Sequence, residues 1–192
     1  MGAFILKDKI MQTSIQLFGK KGFTETSVQD IVNEIGVTKG TFYYYFTSKD
    51  ELLAMIHYEF INNILDKQEE VLNNPNIDSK EKLDQIVKVL TYEIKHSAQS
   101  ARIFFREMRH ISEEHLAKIS PKRHQFRKNL EKLVTDGMAN GEFQEHVRPD
   151  ILSYAILGIT NWSYFWYDPS GPIKEKELAE GYVEFILKGL LK

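Results

Sequence analysis

The sequence predicts an all-α fold of nine helices. Apolar residues recur at helical spacing along most of the 192 residues, and no alternating apolar run is bounded by hairpin turn pairs such as Asn-Gly or Asp-Gly. Hydrophobic residues make up 42% of the chain and charged residues 27%, which is the composition of a globular protein. A chain of this length has room for one or two domains, each with a buried core.

The nine helical segments are separated by recognisable breaks. Pro75 interrupts the pattern after the fourth segment, because proline disfavours helix in the residue before it. Pro149 and Pro172 stand in the loops before the last two segments. Pro121 lies inside the seventh, which should kink or split there. The predicted segments span about residues 6–21, 26–36, 39–46, 48–73, 79–97, 100–111, 113–140, 150–167 and 174–191.

The first helices also carry local end signals. Two lysines suit the negative C-terminal end of the first helix, and Gly22 suits the left-handed position that stops it. Thr26 and Gln29 have the spacing of a capping box, which predicts the start of the second helix. Ser48 and Glu51 repeat that spacing at the start of the fourth.

The third helix has two contrasting faces. Phe42, Tyr45 and Phe46 share one face, which must dock because a helix of two turns is not stable alone. Tyr43 and Tyr44 lie on the other side, together with a lysine, a threonine and a glycine that lets another backbone come close. Two short helices joined by a tight turn, the second presenting donors and flat rings, are typical of a helix-turn-helix that enters the DNA major groove. The alternative, an all-core aromatic cluster, suits only Phe42 and Phe46.

Four segments of this region form a specific pattern: FGKKGF at residues 18–23, TSVQDI at 26–31, GVTKGTFYYYF at 36–46 and SKDEL at 48–52. Together they make residues 6–55 resemble, without a gap, the DNA-binding domain of the tetracycline-repressor (TetR) family of bacterial regulators. The resemblance implies a DNA-binding domain at residues 1–47, with its helix-turn-helix at about 27–46. It further implies a ligand-binding and dimerisation domain at residues 48–192.

The resemblance implies double-stranded operator DNA as the partner, since matching residues of the family meet bases and phosphates. Free N–H groups at the starts of the second and fourth helices independently favour an anion there. Residues 1–50 contain six lysines and five acidic residues, so we expect few phosphate contacts per subunit and two subunits on one operator. The residues predicted to contact DNA are Thr26, Ser27, Thr38, Lys39, Gly40, Thr41, Tyr43, Tyr44 and Lys49.

The last two helices are apolar on several sides, and residues 151–167 carry no charge at all. A helix that is apolar all round is buried all round. In a chain this small, two such helices suggest a four-helix seam with a second copy, which is also how the family dimerises. The alternative is that both helices are interior to one subunit. The residues predicted at the dimer interface are Ile156, Ile159, Tyr182, Phe185 and Ile186.

Residues 102–128 are strongly basic, with eight arginines or lysines and three acidic residues. The simplest interpretation is a solvated basic face. The alternative is an effector pocket that combines guanidinium groups for a carboxylate or phosphate with an apolar part. Residues 158–172 are similar to TetR-family repressors of lipid and sterol breakdown, several of which respond to acyl-CoA, and this implies an amphipathic anion as effector. The predicted ligand contacts are Arg102, Phe105, Arg106, Arg109 and Trp162.

The other function class is a helical small-molecule-binding protein or a di-iron-type bundle enzyme that does not bind DNA. Glu93-x-x-His96 and Glu107-x-x-His110 repeat the unit that such enzymes use twice. No cysteine is present, so thiolate metal sites and disulfides are excluded. Neither a nucleophile elbow nor a phosphate-binding glycine loop occurs. We therefore expect no catalytic residues, cofactor or metal.

The location in the cell is also predicted. The apolar stretch at the N-terminus is too short for a signal peptide. Residues 151–167 are too short and too often interrupted by polar side chains for a membrane span. We therefore expect a cytoplasmic protein without membrane association.

Overall fold

The computed structural model describes the backbone of residues 2–96 and 98–190 and the side chains of residues 5–92 and 100–190. Over this part of the chain the fold is all-α, with nine α-helices, one short 3₁₀ turn (Met108–His110) and no strand, which confirms the predicted fold class. The helices are α1 (Gly2–Lys21), α2 (Val28–Ile35), α3 (Lys39–Tyr45), α4 (Lys49–Leu72), α5 (Ser79–His96), α6 (Ala98–Arg106), α7 (Glu113–Ala139), α8 (Pro149–Trp166) and α9 (Glu175–Leu190).

The chain forms two compact units, and each is built from two separate stretches. The first unit consists of Met1–Ile61 and Gln99–Ser120. The second consists of Asn62–Ala98 and Pro121–Lys192. The unit that contains α2 and α3 therefore extends well beyond residue 47, the domain boundary predicted from the sequence.

The first unit combines an apolar core with hydrogen bonds that join its two stretches. Arg106, at the end of α6, donates from Nη2 to the carbonyl oxygen of Phe18 in α1 at 2.9 Å. Nδ1 of His115, in the first turn of α7, lies 2.8 Å from the carboxylate of Asp50 in α4. Residues 99–120 are thus an integral part of this unit. Its fully buried side chains include Ile10, Phe18, Ile31, Phe42, Phe46, Leu52 and Leu53.

In the second unit, α5 packs against α8 and α9. The hydroxyl of Tyr164, a buried residue of α8, donates to the carbonyl oxygen of Leu90 at 3.2 Å. The buried Gln68 donates from Nε2 to the carbonyl oxygen of Phe126 at 3.0 Å and so links α4 to α7. Of the kink or split predicted at Pro121, the split does not occur, because α7 continues through this residue as one helix.

The start of α2 differs from the prediction by one residue. Ser27 is the N-cap, since its Oγ accepts from the N–H of Asp30 at 3.1 Å while the carboxylate of Asp30 accepts from the N–H of Ser27 at 2.8 Å. The predicted pair, Thr26 and Gln29, is wrong because Thr26 is fully buried and its hydroxyl donates instead to the carbonyl oxygen of Gly22 at 2.8 Å.

The start of α4 follows half of its predicted pattern. Oγ of Ser48 accepts from the N–H of Glu51 at 3.0 Å, as expected. The carboxylate of Glu51 reaches one residue further back and accepts from both the N–H and the hydroxyl of Thr47, the latter at 2.6 Å. These bonds still satisfy donors in front of the helix, which is the purpose of a cap.

Candidate nucleic-acid interface

A tight turn joins α2 to α3. Gly36 ends α2 in the left-handed conformation, at φ 74° and ψ 38°, which glycine adopts without steric cost. The N–H of Val37 donates to the carbonyl oxygen of Val32 at 3.0 Å and so closes the last turn of α2. Thr38 then caps α3 with extended backbone, and its Oγ accepts from the N–H of Thr41 at 3.2 Å. The turn therefore fixes the direction in which α3 leaves α2.

The two faces of α3 have opposite exposure. Phe42 and Phe46 have 0% and 1% of their surface exposed, so they anchor the helix to the core. Tyr43 and Tyr44 are 53% and 78% exposed. Large rings that stay this accessible on a short, anchored helix are available to bind another molecule. Tyr45 is half-buried, between the two extremes.

The first turn of α3 is polar and open. Lys39 is exposed, and Thr38 and Thr41 place their hydroxyl oxygens 3.1 Å apart. A Cβ added at Gly40 would meet only Oγ1 of Thr38, at an ordinary contact distance of 3.6 Å. The fold itself therefore does not require glycine at this position.

The start of α2 holds a carboxylate. The side chain of Asp30 bonds both the N–H and the hydroxyl of Ser27, at 2.8 and 2.6 Å, and these bonds hold the pKa of Asp30 below its ordinary value. Ser27 is exposed, but a DNA phosphate would have to share it with this carboxylate. Thr26, also predicted to contact DNA, is fully buried. Its hydroxyl and its N–H are both used inside the fold, with Gly22 and Phe23 as their acceptors.

Lys49 lies at the start of α4, and its ammonium group turns towards the loop between α1 and α2. Nζ donates to the carbonyl oxygens of Phe23 and Thr26, both at 2.7 Å, and lies 4.3 Å from the centroid of the Phe23 ring. Burial lowers the pKa of Lys49. In this arrangement Lys49 holds the loop in place through hydrogen bonds to its carbonyl groups.

The residues predicted to bind an effector do not all come together. Arg106 and Arg109 line one polar cavity of about 270 Å³ in the first unit, together with Lys20 and Lys21. Arg102 is exposed and Phe105 is half-buried, and neither is among the lining residues. Trp162 belongs to α8 in the second unit, where its side chain is 63% exposed.

The residues predicted at the dimer interface largely share one apolar groove between α8 and α9. The groove has a volume of about 350 Å³. Phe185 is 68% exposed at its edge, while Ile156 and Ile186 are buried beneath it. Tyr182 is not among the lining residues, and its hydroxyl lies 2.6 Å from Oγ of Ser163. The predicted interface residues in the groove are Ile156, Ile159, Phe185 and Ile186.

The described residues give little support for a di-iron site. The side chains of Glu93 and His96 lie outside the described residues. Glu107 is buried and is engaged by Nε of Arg106 at 2.8 Å, with Nε2 of His110 at 3.5 Å. Within the described part of the chain, no three acidic, histidine or cysteine side chains are grouped as metal ligands would be. Nor does any helix of that part have the length and hydropathy needed to cross a membrane.

Two features of the first compact unit, which contains α2 and α3, were not predicted from the sequence. One is the loop between α1 and α2, whose carbonyl groups bind Lys49. The other is the presence of Lys20 and Lys21 beside Arg106 and Arg109. The sequence signal for the second was the Lys-Lys pair itself, which equally suits a helix C-terminus.

Comparison with known proteins identifies both parts of the chain. Residues 10–56 match the family model of bacterial regulatory proteins, tetR family, and residues 76–190 match that of the tetracyclin repressor-like C-terminal domain. The chain is 23% identical over 186 residues to the HTH-type transcriptional repressor KstR2 of Mycolicibacterium smegmatis. The matched region covers 96% of this chain and 90% of that protein.

Solved structures share the fold over nearly the whole chain. The TetR family transcriptional regulator PfmR from Thermus thermophilus is 28% identical and superposes with a TM-score of 0.88, covering 95% of this chain and 99% of its own. AibR, in a crystal structure with isovaleryl coenzyme A and operator DNA, is 21% identical with a TM-score of 0.84, covering 93% of this chain and 96% of its own. The second likeness concerns the fold alone.

Proposed function

The chain belongs to the tetR family of bacterial regulatory proteins, so it is a DNA-binding transcriptional regulator and not an enzyme, and we propose that it is a homodimeric repressor released from its operator by a small-molecule effector. The related KstR2 proteins are named as repressors, which supports this direction of control. The repressor would act in the cytoplasm, where its operator is found.

The observation that carries the proposal is the exposure of one face of α3. Tyr43 and Tyr44 project outwards while Phe42 and Phe46 hold the helix from behind. In a helix-turn-helix, phosphate contacts set the position of the protein and a few side chains reach the base edges. The proposed DNA contacts are Ser27, Thr38, Lys39, Gly40, Thr41, Tyr43 and Tyr44, with Lys49 positioning the loop before α2. Thr26 is left out because its side chain is buried.

The proposed dimer forms through the apolar groove of α8 and α9. Several large apolar side chains on these helices are exposed, and they would leave water if a second copy covered them. Two subunits are needed because the DNA-binding part of one subunit, residues 1–50, carries little net positive charge. The most exposed of these side chains are Phe185, Trp162, Tyr154 and Ile151.

The proposed effector is an amphipathic anion, such as an acyl-CoA. AibR, which shares the fold, was crystallised with isovaleryl coenzyme A and operator DNA. Arginine side chains suit the phosphate or carboxylate of such a ligand, and apolar side chains suit its tail. Of the five residues predicted from the sequence, only Arg106 and Arg109 line one cavity, and these two are the proposed effector contacts.

Helix α4 provides a physical link for release. Its 24 residues belong partly to each compact unit and extend over about 36 Å at 1.5 Å per residue. An effector that binds better to one conformation of the protein than to another would shift this helix. The shift would change the distance between the two helix-turn-helix motifs of the dimer. Half-sites lie about 34 to 36 Å apart, so a shift of a few Å is enough to lose the operator.

The proposal is tested by titrating the purified protein against the DNA upstream of its own gene at two salt concentrations. We expect sequence-selective binding that weakens steeply with salt. Tyr44→Ala should weaken it by about 5- to 150-fold, which corresponds to the loss of one good base contact of about 1–3 kcal/mol. Tyr92→Ala, a change of the same type in α5, should leave it unchanged. Equal affinity for operator and unrelated DNA would contradict the proposal.

A further inference from the structure

The polar cavity beside the loop between α1 and α2 gathers positive charge from two distant parts of the chain. Lys20 and Lys21 come from the end of α1, and Arg106 and Arg109 come from α6 and the 3₁₀ turn behind it. We propose that this cavity is a binding site for the phosphate group of a small anionic ligand. The site lies wholly within the compact unit that contains α3.

The charges in the cavity are only partly compensated. Nε of Arg106 bonds the buried carboxylate of Glu107 at 2.8 Å, and Nζ of Lys21 lies 3.7 Å from the carboxylate of Asp30. Lys20 has no carboxylate within ion-pair distance among the residues that the structure describes.

In that same part of the chain, Arg109 likewise lacks a carboxylate partner. Its Nε lies 3.3 Å from Nε2 of His110. The remaining acidic group that lines the cavity is Glu25, which is exposed. Two cations therefore face one carboxylate, and a bound anion would restore the balance.

Arg106 is also held in place before any ligand arrives. Nη2 of Arg106 donates to the carbonyl oxygen of Phe18 at 2.9 Å while its Nε bonds Glu107, so its planar group has a fixed direction. A guanidinium with a fixed direction loses little freedom when it binds a phosphate oxygen. Helix-end electrostatics alone explain Lys20 and Lys21 but do not explain why two arginines from a distant segment share their cavity.

The size of the cavity indicates a compact group. Its volume of about 270 Å³ is below the roughly 300 to 1,000 Å³ of pockets that enclose a whole drug-sized ligand. A phosphate or diphosphate group fits this description, and the rest of a larger ligand would lie outside.

The inference shares Arg106 and Arg109 with the proposed effector site and in that sense rests on the proposed function. Its test is direct binding of pyrophosphate to the full-length protein, without DNA and at constant ionic strength. Binding is followed by NMR through the amide signals of Gly22 and Thr24, which line the cavity. Sodium sulfate serves as the control for a general anion effect.

We expect saturable shifts of both amide signals at millimolar pyrophosphate. Lys20→Gln and Arg109→Gln should each weaken binding about tenfold, the usual loss for one hydrogen bond to a charged group. Lys176→Gln, which removes an exposed lysine of α9, should leave binding unchanged. An unshifted wild-type spectrum, or equal weakening by Lys176→Gln, would overturn the inference.

A second measurement separates the inference from the proposed function. The same variants are titrated with operator DNA over a range of salt concentrations. If Lys20→Gln or Arg109→Gln reduced the salt slope by about one while the wild type ignored pyrophosphate, the cations would belong to DNA-backbone binding, and the inference would be wrong. If pyrophosphate bound but the wild type did not select its operator, the proposed function would fail and the site would stand.

Discussion

At the scale of single residues, Lys49 shows how a charged side chain can hold a loop in position through hydrogen bonds to its carbonyl oxygens. Its ammonium group donates to two carbonyl oxygens of the segment that leads into α2, and the Phe23 ring covers it. That segment ends at Ser27, the N-cap of α2, so Lys49 helps to position the helix-turn-helix without being part of it. A phosphate contact by the same Nζ would compete with these bonds.

Lys49→Ala should therefore reduce both the free energy of unfolding and operator affinity. We expect a loss of about 1 to 2 kcal/mol in urea unfolding, since hydrogen bonds from a charged donor are removed. Lys39→Ala should weaken operator binding but change stability by less than about 0.5 kcal/mol, because Lys39 is exposed. If Lys49→Ala unfolded like the wild type and still lost its operator, Lys49 would be a direct phosphate contact.

Gly40 separates the needs of the fold from those of DNA binding. Because an added Cβ has an ordinary contact distance to Thr38, Gly40→Ala should keep or slightly raise the melting temperature, as alanine favours helix by up to about 1 kcal/mol. Operator affinity should fall at least tenfold if DNA approaches the backbone here. Thermal unfolding and operator titration measure the two effects, and unchanged affinity would remove Gly40 from the proposed contacts.

The sequence predicts the exposure of α3 correctly but not the partners of Lys49. Which side chains of a helix share a face depends only on its period, so the outward position of Tyr43 and Tyr44 follows from the sequence. The carbonyl groups that hold Lys49 lie more than twenty residues earlier in the chain. Their proximity depends on packing, and no local pattern reports it.

At the scale of helices, the start of α4 contains an acid-sensitive cap. Hydrogen bonds from the hydroxyl and the N–H of Thr47 lower the pKa of Glu51 from its ordinary value of 4.5. Desolvation opposes this effect, while the charges of His115 and Lys7 add to it. A carboxyl whose pKa falls on folding stabilises the fold above its unfolded pKa, and that stabilisation is lost as the pH drops through its folded pKa.

Glu51→Gln should accordingly be less stable than the wild type at pH 7, by about 1 kcal/mol, the usual value of a helix cap. The difference should shrink as the pH falls from 5 to 3, because the wild-type carboxyl becomes neutral as well. Urea unfolding across this pH range gives the measurement. Glu70→Gln, an exposed change on the same helix, is the control, and a difference independent of pH would contradict the role of charge.

Helix number and order could be predicted because their signals are local. Glycine and proline mark the breaks, and apolar spacing marks the segments between them. The N-cap of α2 could not be chosen from the sequence, since both Thr26 and Ser27 have suitable hydroxyl groups. The structure selects Ser27 because the hydroxyl of Thr26 turns inwards to the carbonyl oxygen of Gly22.

At the scale of the whole molecule, the groove between α8 and α9 is the testable surface. Phe185→Glu places a charge on its most exposed apolar residue and should convert the proposed dimer to monomers. We expect a rise in the dimer dissociation constant of at least about a hundredfold, with a parallel loss of operator binding. Analytical ultracentrifugation at micromolar protein measures the first quantity.

The control for this change is Ile173→Glu. Ile173 is 39% exposed and precedes α9, but it does not line the groove. A charge there should leave the dimer intact. If Phe185→Glu sedimented like the wild type, subunits would associate through a different surface, and the assignment of α8 and α9 would have to be withdrawn.

The first compact unit is discontinuous in sequence, because it includes residues 99–120, which follow α5 in the chain. A gene fragment that stops after residue 61 would therefore lack Arg106 and His115, which bond Phe18 and Asp50 in the complete chain. Anyone building chimaeric repressors by exchanging N-terminal segments would have to transplant this later stretch too. The same dependence constrains divergence, because substitutions in either stretch must stay compatible with the other.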